Sequence, residues 1–265
     1  MAIREKALIL RHEYVGGNFY EMEFYAPQTA RMGKPGQFVH MACSETADPL
    51  LRRPFSLYRV NPDQGEVSIL YAVVGRGTEI ISHMKPGEWA DILGPLGNGF
   101  TLVPEKSTAL LIGGGVGIAP LLALADQLVM QNTDVKALLG MRTGETAAII
   151  HAFQKAGATV HAATNDGSIG ICGHVTDLLH VLDPGYTPTM VYACGPKPML
   201  EKTKDWTAKH NWPAQLSLEE KMGCGLGACL SCVCKIKVTI DDGWTYKRVC
   251  VDGPVFDSRE VLFND

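Results

Sequence analysis

Four of the chain's eight cysteines fall in one short run, Cys224-Gly225-Leu226-Gly227-Ala228-Cys229-Leu230-Ser231-Cys232-Val233-Cys234. Read as C-x4-C-x2-C over Cys224, Cys229 and Cys232, with Cys250 as a distant fourth thiolate, they reproduce the spacing that holds a plant-type 2Fe-2S cluster. Two irons and their sulfides need a backbone that curls closely round them, and Gly225, Gly227 and Ala228 leave room for that curl. The N–H groups of such a loop point at the cluster and tune its potential, which suits a one-electron carrier. A structural zinc site is a competing use of the same thiols, but zinc frameworks pair two short knuckles and this spacing lacks the second. A disulfide framework is disfavoured in a chain with ample core and no secretory context. Cys234 alternates with Cys232 along a strand entering Lys235 to Val238, and is expected to face away from the cluster.

Two further stretches can bind a dinucleotide. Gly113-Gly114-Gly115-Val116-Gly117-Ile118-Ala119-Pro120 follows an apolar strand pattern and precedes a helical one, and Pro120 suits a first helical turn where no N–H is required. It departs from G-x-G-x-x-G, with Pro120 at the third glycine, but a glycine-lined helix start attracts a pyrophosphate. Cys194-Gly195-Pro196 ends a later strand, at the edge where open α/β sheets bind ligands; a buried small residue is the equal alternative for Cys194. Upstream, Arg52-Arg53-Pro54-Phe55-Ser56-Leu57 sets a cation beside a hydroxyl, and Gly75-Arg76-Gly77-Thr78 forms a turn whose N–H groups and hydroxyl suit an anion.

These motifs need elements to hold them. Short alternating segments, Ala7 to Leu10, Tyr20 to Phe24, Gln37 to Met41, Phe55 to Val60, Val67 to Val74 and Trp89 to Leu93, with a hairpin turn at Asn61 to Gly65, predict a small antiparallel barrel over residues 1–103. After Pro104-Glu105-Lys106 the rhythm changes. Strands at Ala109 to Ile112, Val135 to Leu139, Thr159 to Thr164 and Thr189 to Ala193 alternate with helices at Ala119 to Met130, Glu145 to Ala156, Val175 to Leu182 and Lys197 to Lys209. That pattern predicts a doubly wound parallel sheet over 104–213. Residues 214–265 form a small cluster domain with a strand pair turning at Asp241-Asp242-Gly243.

Composition sets the outer bounds. The 265 residues are 46% hydrophobic with a formal net charge of −4, as expected of a globular protein of two or three domains. A sequence pI near 6.1 and the lack of a basic run argue against nucleic acid. The N-terminal Met1 to Lys6 mixes charges and leads into a strand, so no targeting peptide is expected and the cytoplasm is the expected compartment. Ser107 to Ala125 is uncharged, but its glycines and Pro120 break it, so no membrane span is expected.

Barrel with Arg-Pro-aromatic-Ser, then Gly-Gly-Gly-x-Gly-x-Ala-Pro, then Cys-Gly-Pro resembles the ferredoxin-NADP reductase superfamily. The segments Thr164 to Ser168, Ser217 to Cys224 and Cys250 to Phe256 narrow the likeness to electron-transfer subunits of B-type dihydroorotate dehydrogenases, and it covers essentially the entire chain. The resemblance implies FAD contacts at Arg53, Pro54, Phe55, Ser56, Leu70, Tyr71, Ala72, Gly77 and Thr78. Phe55 stands where the family often has an aliphatic residue. It implies an NAD site at Gly113, Gly114, Gly115, Gly117, Cys194, Gly195 and Pro196, and cluster ligands Cys224, Cys229, Cys232 and Cys250. Arg142 is a candidate for selecting a 2′-phosphate, or simply a solvated loop residue; NAD is retained. The implied partner is an FMN-containing catalytic subunit that oxidises dihydroorotate, in a heterotetramer serving pyrimidine biosynthesis, since no substrate base is visible here. Leu226 and Leu230 either dock that partner or shield the cluster. A flavin/iron-sulfur NAD(P)H:ferredoxin reductase, or a reductase subunit of another oxidoreductase, is the alternative within the superfamily, and a cluster-based redox sensor the alternative outside it.

Overall fold

A computed structural model describes residues 2–183, 185–238 and 243–263. Six strands, β1 (Ile3–Gly16), β2 (Phe19–Tyr25), β3 (Phe38–Met41), β4 (Arg53–Asn61), β5 (Glu66–Ala72) and β6 (Trp89–Leu96), close a barrel in the order β1-β2-β5-β4-β3-β6. Every pairing is antiparallel, and β6 returns to β1 with Ile3 opposite Gly94. The pleat sends Ala7 and Ile9 of β1, Met22 and Phe24 of β2, and Val67, Ile69 and Tyr71 of β5 into one core. Leu70, one step out of phase, faces the second domain instead. Two short helices, α1 (Pro27–Met32) and α2 (Arg76–Ser82), lie in the connections.

Beyond the barrel come β7 (Thr108–Gly114), α3 (Ala119–Met130), β8 (Asp134–Met141), α4 (Ala147–Lys155), β9 (Thr159–Thr164), β10 (Ile171–Cys172), β11 (Met190–Cys194) and α5 (Lys197–Lys209). The tail adds β12 (Ala214–Ser217), β13 (Val233–Lys237), β14 (Trp244–Arg248), β15 (Val255–Asp257) and β16 (Val261–Leu262). One sheet runs β10-β9-β8-β7-β11-β12-β15, parallel except for β15, and a second runs β14-β13-β16. Alternate residues of β7 serve opposite faces. Ala109 and Leu111 pack with Leu121 of α3 and Phe153 of α4, whereas Leu110 and Ile112 pack with Leu200 of α5 and Leu178 of a 3-10 segment. Among the described residues no helix is long and apolar enough to cross a membrane.

The barrel, the doubly wound region and the helices at Ala119–Met130 and Lys197–Lys209 lie where the sequence predicts. Three details differ. The helix expected from Glu145 opens with a 3-10 turn, Gly144–Thr146, and becomes α only at Ala147; the segment expected as a helix from Val175 is 3-10 throughout, over Val175–Val181. The large sheet takes β12 and β15 from beyond residue 213, so it crosses the expected domain boundary. Asp241 and Asp242 of the expected turn lie outside the described residues.

The barrel's site-bearing strands are tied by one electrostatic knot. Arg52 donates to the carbonyls of His40 (3.2 Å) and Asp91 (2.8 Å) and pairs with the Asp91 carboxylate at 2.9 Å, which Arg4 also holds. Burial would raise the Asp91 carboxyl, but the hydrogen bonds from Arg4 and Arg52 hold it below its ordinary value. A lowered carboxylate stabilises the fold above the unfolded value and loses that contribution as pH falls through the native one. Asp91→Asn should therefore lower the Tm at pH 7 by about 2–4 °C, the shift for about 1 kcal/mol in a partly screened pair. Melts of both proteins should converge at the acid end; a constant gap at all pH values would contradict this role for Asp91.

Candidate functional site

The cluster loop carries no regular structure from Leu218 to Ser231 and curls through left-handed residues at Gly225 (φ +70°), Gly227 (φ +80°) and Leu230 (φ +57°). That curl turns backbone donors onto sulfur. The N–H groups of Leu226 and Ala228 each stand 3.3 Å from Cys224 Sγ, and the Cys224 N–H stands 3.4 Å from Cys229 Sγ. Although desolvation opposes it, these donors bring the Cys224 thiol down to about 6. Cys250 lies against Cys232, both almost fully buried, and burial followed by that neighbour pushes Cys250 up to about 12. All eight cysteines are free. The thiols thus fall into two pairs, Cys224 with Cys229 and Cys232 with Cys250. Among the described residues no three His, Cys, Asp or Glu groups gather as the ligands of a single ion would. Two pairs with N–H groups aimed at sulfur fit two irons better than one zinc. Cys234 on β13 turns its thiol to the Lys247 carbonyl at 3.5 Å.

Several residues hold this loop that carry no motif of their own. Arg248, at the end of β14, donates to the Gly227 carbonyl at 3.1 Å and is itself fixed by Asp252, whose Oδ2 lies 3.0 Å from its Nε. Asn98 reaches from the barrel to the Asp252 carbonyl at 3.0 Å. Gly225 rests on the imidazole of His40 in β3; a methyl at Gly225 would stand 2.6 Å from Nδ1. Burial, then the charge of Arg52, pushes His40 down to about 4, so the ring is neutral at pH 7.

β3 pairs with β4, setting His40 opposite Pro54 and Phe38 opposite Ser56. Of the two arginines beginning this segment, Arg52 is spent on the Asp91 knot, whereas Arg53 lies against the start of α2, where a methyl on Gly77 would stand 2.6 Å from its Nε. Arg53 and Gly77 therefore share one cradle. The Thr78 hydroxyl donates to the Gly75 carbonyl (2.8 Å) and accepts from the N–H groups of Val74 (3.0 Å) and Gly75 (3.2 Å), shaping the turn from within. Phe55 and Tyr71 point into the barrel, ring centroids 5.3 Å apart, so their side chains are core rather than surface.

A cavity of about 730 Å³ opens at the carboxyl ends of the parallel strands, where the chain order reverses between β7 and β11. Ala72, Gly114, Gly115, Arg142 and Pro196 line it. Gly115 (φ +57°) has open space where a side chain would go. Gly117 works differently. Its position leaves only 2.5 Å between a notional methyl and the Cα of Gly195, so the two turns meet backbone to backbone behind the cavity. Gly113 packs on Ile118, and Cys194 is buried, its thiol pushed up to about 12 by that burial.

Two family models match: "Iron-sulfur cluster binding domain of dihydroorotate dehydrogenase B" over residues 219–262 and "Oxidoreductase NAD-binding domain" over 111–205. The chain is 42% identical to the dihydroorotate dehydrogenase B (NAD(+)) electron transfer subunit of Geobacillus sp. (strain WCH70), covering 99% of this chain and 100% of that one. It belongs to that family. The protein of the same name from Desulforamulus reducens is also 42% identical, with 97% of each chain covered. A solved structure of an NADH-dependent reduced ferredoxin-NADP oxidoreductase, described in connection with flavin-based electron bifurcation, matches with a TM-score of 0.85 at 28% identity, over 97% of this chain and 90% of that one.

Within this family frame, the motif residues divide into those that face a ligand space and those that brace it. Ala72, Gly114, Gly115 and Pro196 line the cavity, and Arg53 meets Gly77; Gly113, Gly117, Cys194 and Gly195 do not line it, and Gly117 and Gly195 pack on each other. Gly117→Ala must push the Gly195 turn outward at a cost of about 1–3 kcal/mol, typical of overpacking. It should raise the Kd for NADH about tenfold and leave iron content unchanged. Wild-type NADH affinity, measured by fluorescence titration, would show that the two turns do not set the cavity.

Proposed function

We propose that this chain relays electrons taken from dihydroorotate in a partner FMN subunit, through a 2Fe-2S cluster and FAD, to NAD, serving pyrimidine biosynthesis in the cytoplasm as part of a heterotetramer. The observation that carries this reading is the seat of the cluster loop. Gly225 rests on His40 of β3, the strand beside Arg53 to Ser56, so the one-electron and two-electron sites share a wall.

Cys224, Cys229, Cys232 and Cys250 hold the cluster, with the Leu226 and Ala228 N–H groups directed at the first of them. Arg53 neutralises FAD phosphate beside the Gly77 and Thr78 turn, and Ser56 and the main chain of Leu70 to Ala72 meet the ring system. Phe55 and Tyr71 back that surface from inside the barrel. Gly114, Gly115 and Pro196 receive NAD, with Gly113, Gly117, Cys194 and Gly195 fixing the two turns. When bound, the flavin exchanges two electrons with a nicotinamide and one with iron-sulfur, which is the conversion a relay needs. The protein's own part is to bind, orient and exclude water. Leu226 and Leu230, 53% and 61% exposed, form the apolar rim through which the cluster meets its partner.

The solved ferredoxin-NADP oxidoreductase, at 28% identity, supports a second reading in which the electron partner is a ferredoxin; the 42% identity over full length favours the first. One pair of variants tests the relay and its ligands together. Cys229→Ser should lose the cluster, keep FAD and NADH oxidation with an artificial acceptor, and lose more than about 90% of dihydroorotate:NAD activity in the reconstituted complex. Cys234→Ser should keep iron and activity. Iron loss in Cys234→Ser would reassign the ligands, and full activity in an iron-free Cys229→Ser complex would remove the cluster from the path.

A further inference from the structure

His40 is 1% exposed, and both of its ring nitrogens lack a hydrogen-bond partner. A buried imidazole with a donor and an acceptor unserved is costly, and a native fold keeps one only where something else completes it. Its surroundings narrow what that is. The ring faces the backbone of Cys224 and Arg52 without reaching hydrogen-bond geometry with either. Its own carbonyl is held by Arg52, and its strand is paired with Pro54 of β4 and Leu93 of β6, so its backbone is fixed with the ring on the buried side. Nδ1 lies directly beneath Gly225, the residue after the first cysteine of the loop, close enough that only glycine fits there.

We propose that His40 is a positioning and tuning residue of the iron-sulfur site: it seats the Cys224–Gly225 turn on the flavin-binding wall and supplies a side-chain N–H to the sulfur of the assembled cluster. This rests on the ligand reading given under Proposed function. The loop's other donors to sulfur are backbone N–H groups of Cys224, Leu226 and Ala228, all on the solvent-side half of the loop. His40 approaches from the barrel side, where water is excluded and a hydrogen bond acts at full strength. Reduction adds negative charge to a cluster, so a donor aimed at its sulfur stabilises the reduced form and raises the potential. Removing that donor lowers it.

The test is an EPR-monitored redox titration of the full chain, with iron and flavin contents, for wild type, His40→Leu and His40→Gln. His40→Leu should keep iron and flavin while its reduction equilibrium falls about tenfold, which is about 59 mV downward for a one-electron couple. His40→Gln, which retains an N–H, should titrate within about threefold of wild type. An unchanged or higher potential in His40→Leu overturns the proposal. Should His40→Leu lose its iron, His40→Gln decides: iron retained at the wild-type potential supports the donor role, and iron lost there as well overturns it. A wild-type chain with no signal from a reduced cluster would instead overturn the ligand reading beneath it.

Discussion

A seam of glycine-tight contacts between the tail and the barrel is the constraint on which the rest of the structure depends. At Gly97 a methyl would stand 2.5 Å from Pro254, and at Gly225 one would stand 2.6 Å from His40. The Asn98 N–H donates to the Gly253 carbonyl, and β15 pairs with β12, so the segment after Cys250 is built into the large sheet. Electron transfer weakens steeply with separation, and side chains on these glycines would force the cluster loop away from the barrel wall at β3, the side on which we propose the flavin binds. The seam therefore does for electron carriers what a closed active site does for reacting atoms: it fixes distance before anything binds.

Charge is distributed to match. Arg52 and Arg53 are adjacent in sequence and opposite in use: the first is consumed by Asp91 and two carbonyls, and the second lies at the Gly77 turn. The thiols are graded too. Cys224, surrounded by N–H donors, is brought down to about 6, whereas Cys250, buried against Cys232, is pushed up to about 12. Assembly of a cluster must draw the proton from Cys250, so its metal affinity depends on pH more than Cys224 alone implies. The neutral His40 ring adds no charge to this wall.

How much was legible in the sequence follows from the range of the interactions involved. Local signals read well: the period-2 strands of the barrel, the Asn61 to Gly65 turn, and the helix from Ala119, where Pro120 marks the first turn. The cysteine spacing was legible because a cluster imposes it. Long-range pairing was not. β12 and β15 are four and three residues long, too short to show a period, and their place in the large sheet is decided by partners far away in the chain. Phe55 and Tyr71 sit within motif segments, yet the pleat turns them inward. His40, Asn98 and Arg248 belong to no motif, and only the fold brings them to the loop. The Gly117–Gly195 contact was half legible: both glycines stood out, but as ligand contacts rather than as the meeting point of two turns.

The most direct measurement of the central claim, that one rigid body carries a two-electron and a one-electron site in contact, is an anaerobic titration of the isolated chain with NADH, followed by visible absorption and low-temperature EPR. Flavin absorbance should bleach, and the signal of a reduced 2Fe-2S cluster should grow as the flavin fills, without any partner present. Bleached flavin with a cluster that stays oxidised to NADH and becomes EPR-active only with an added mediator would contradict it.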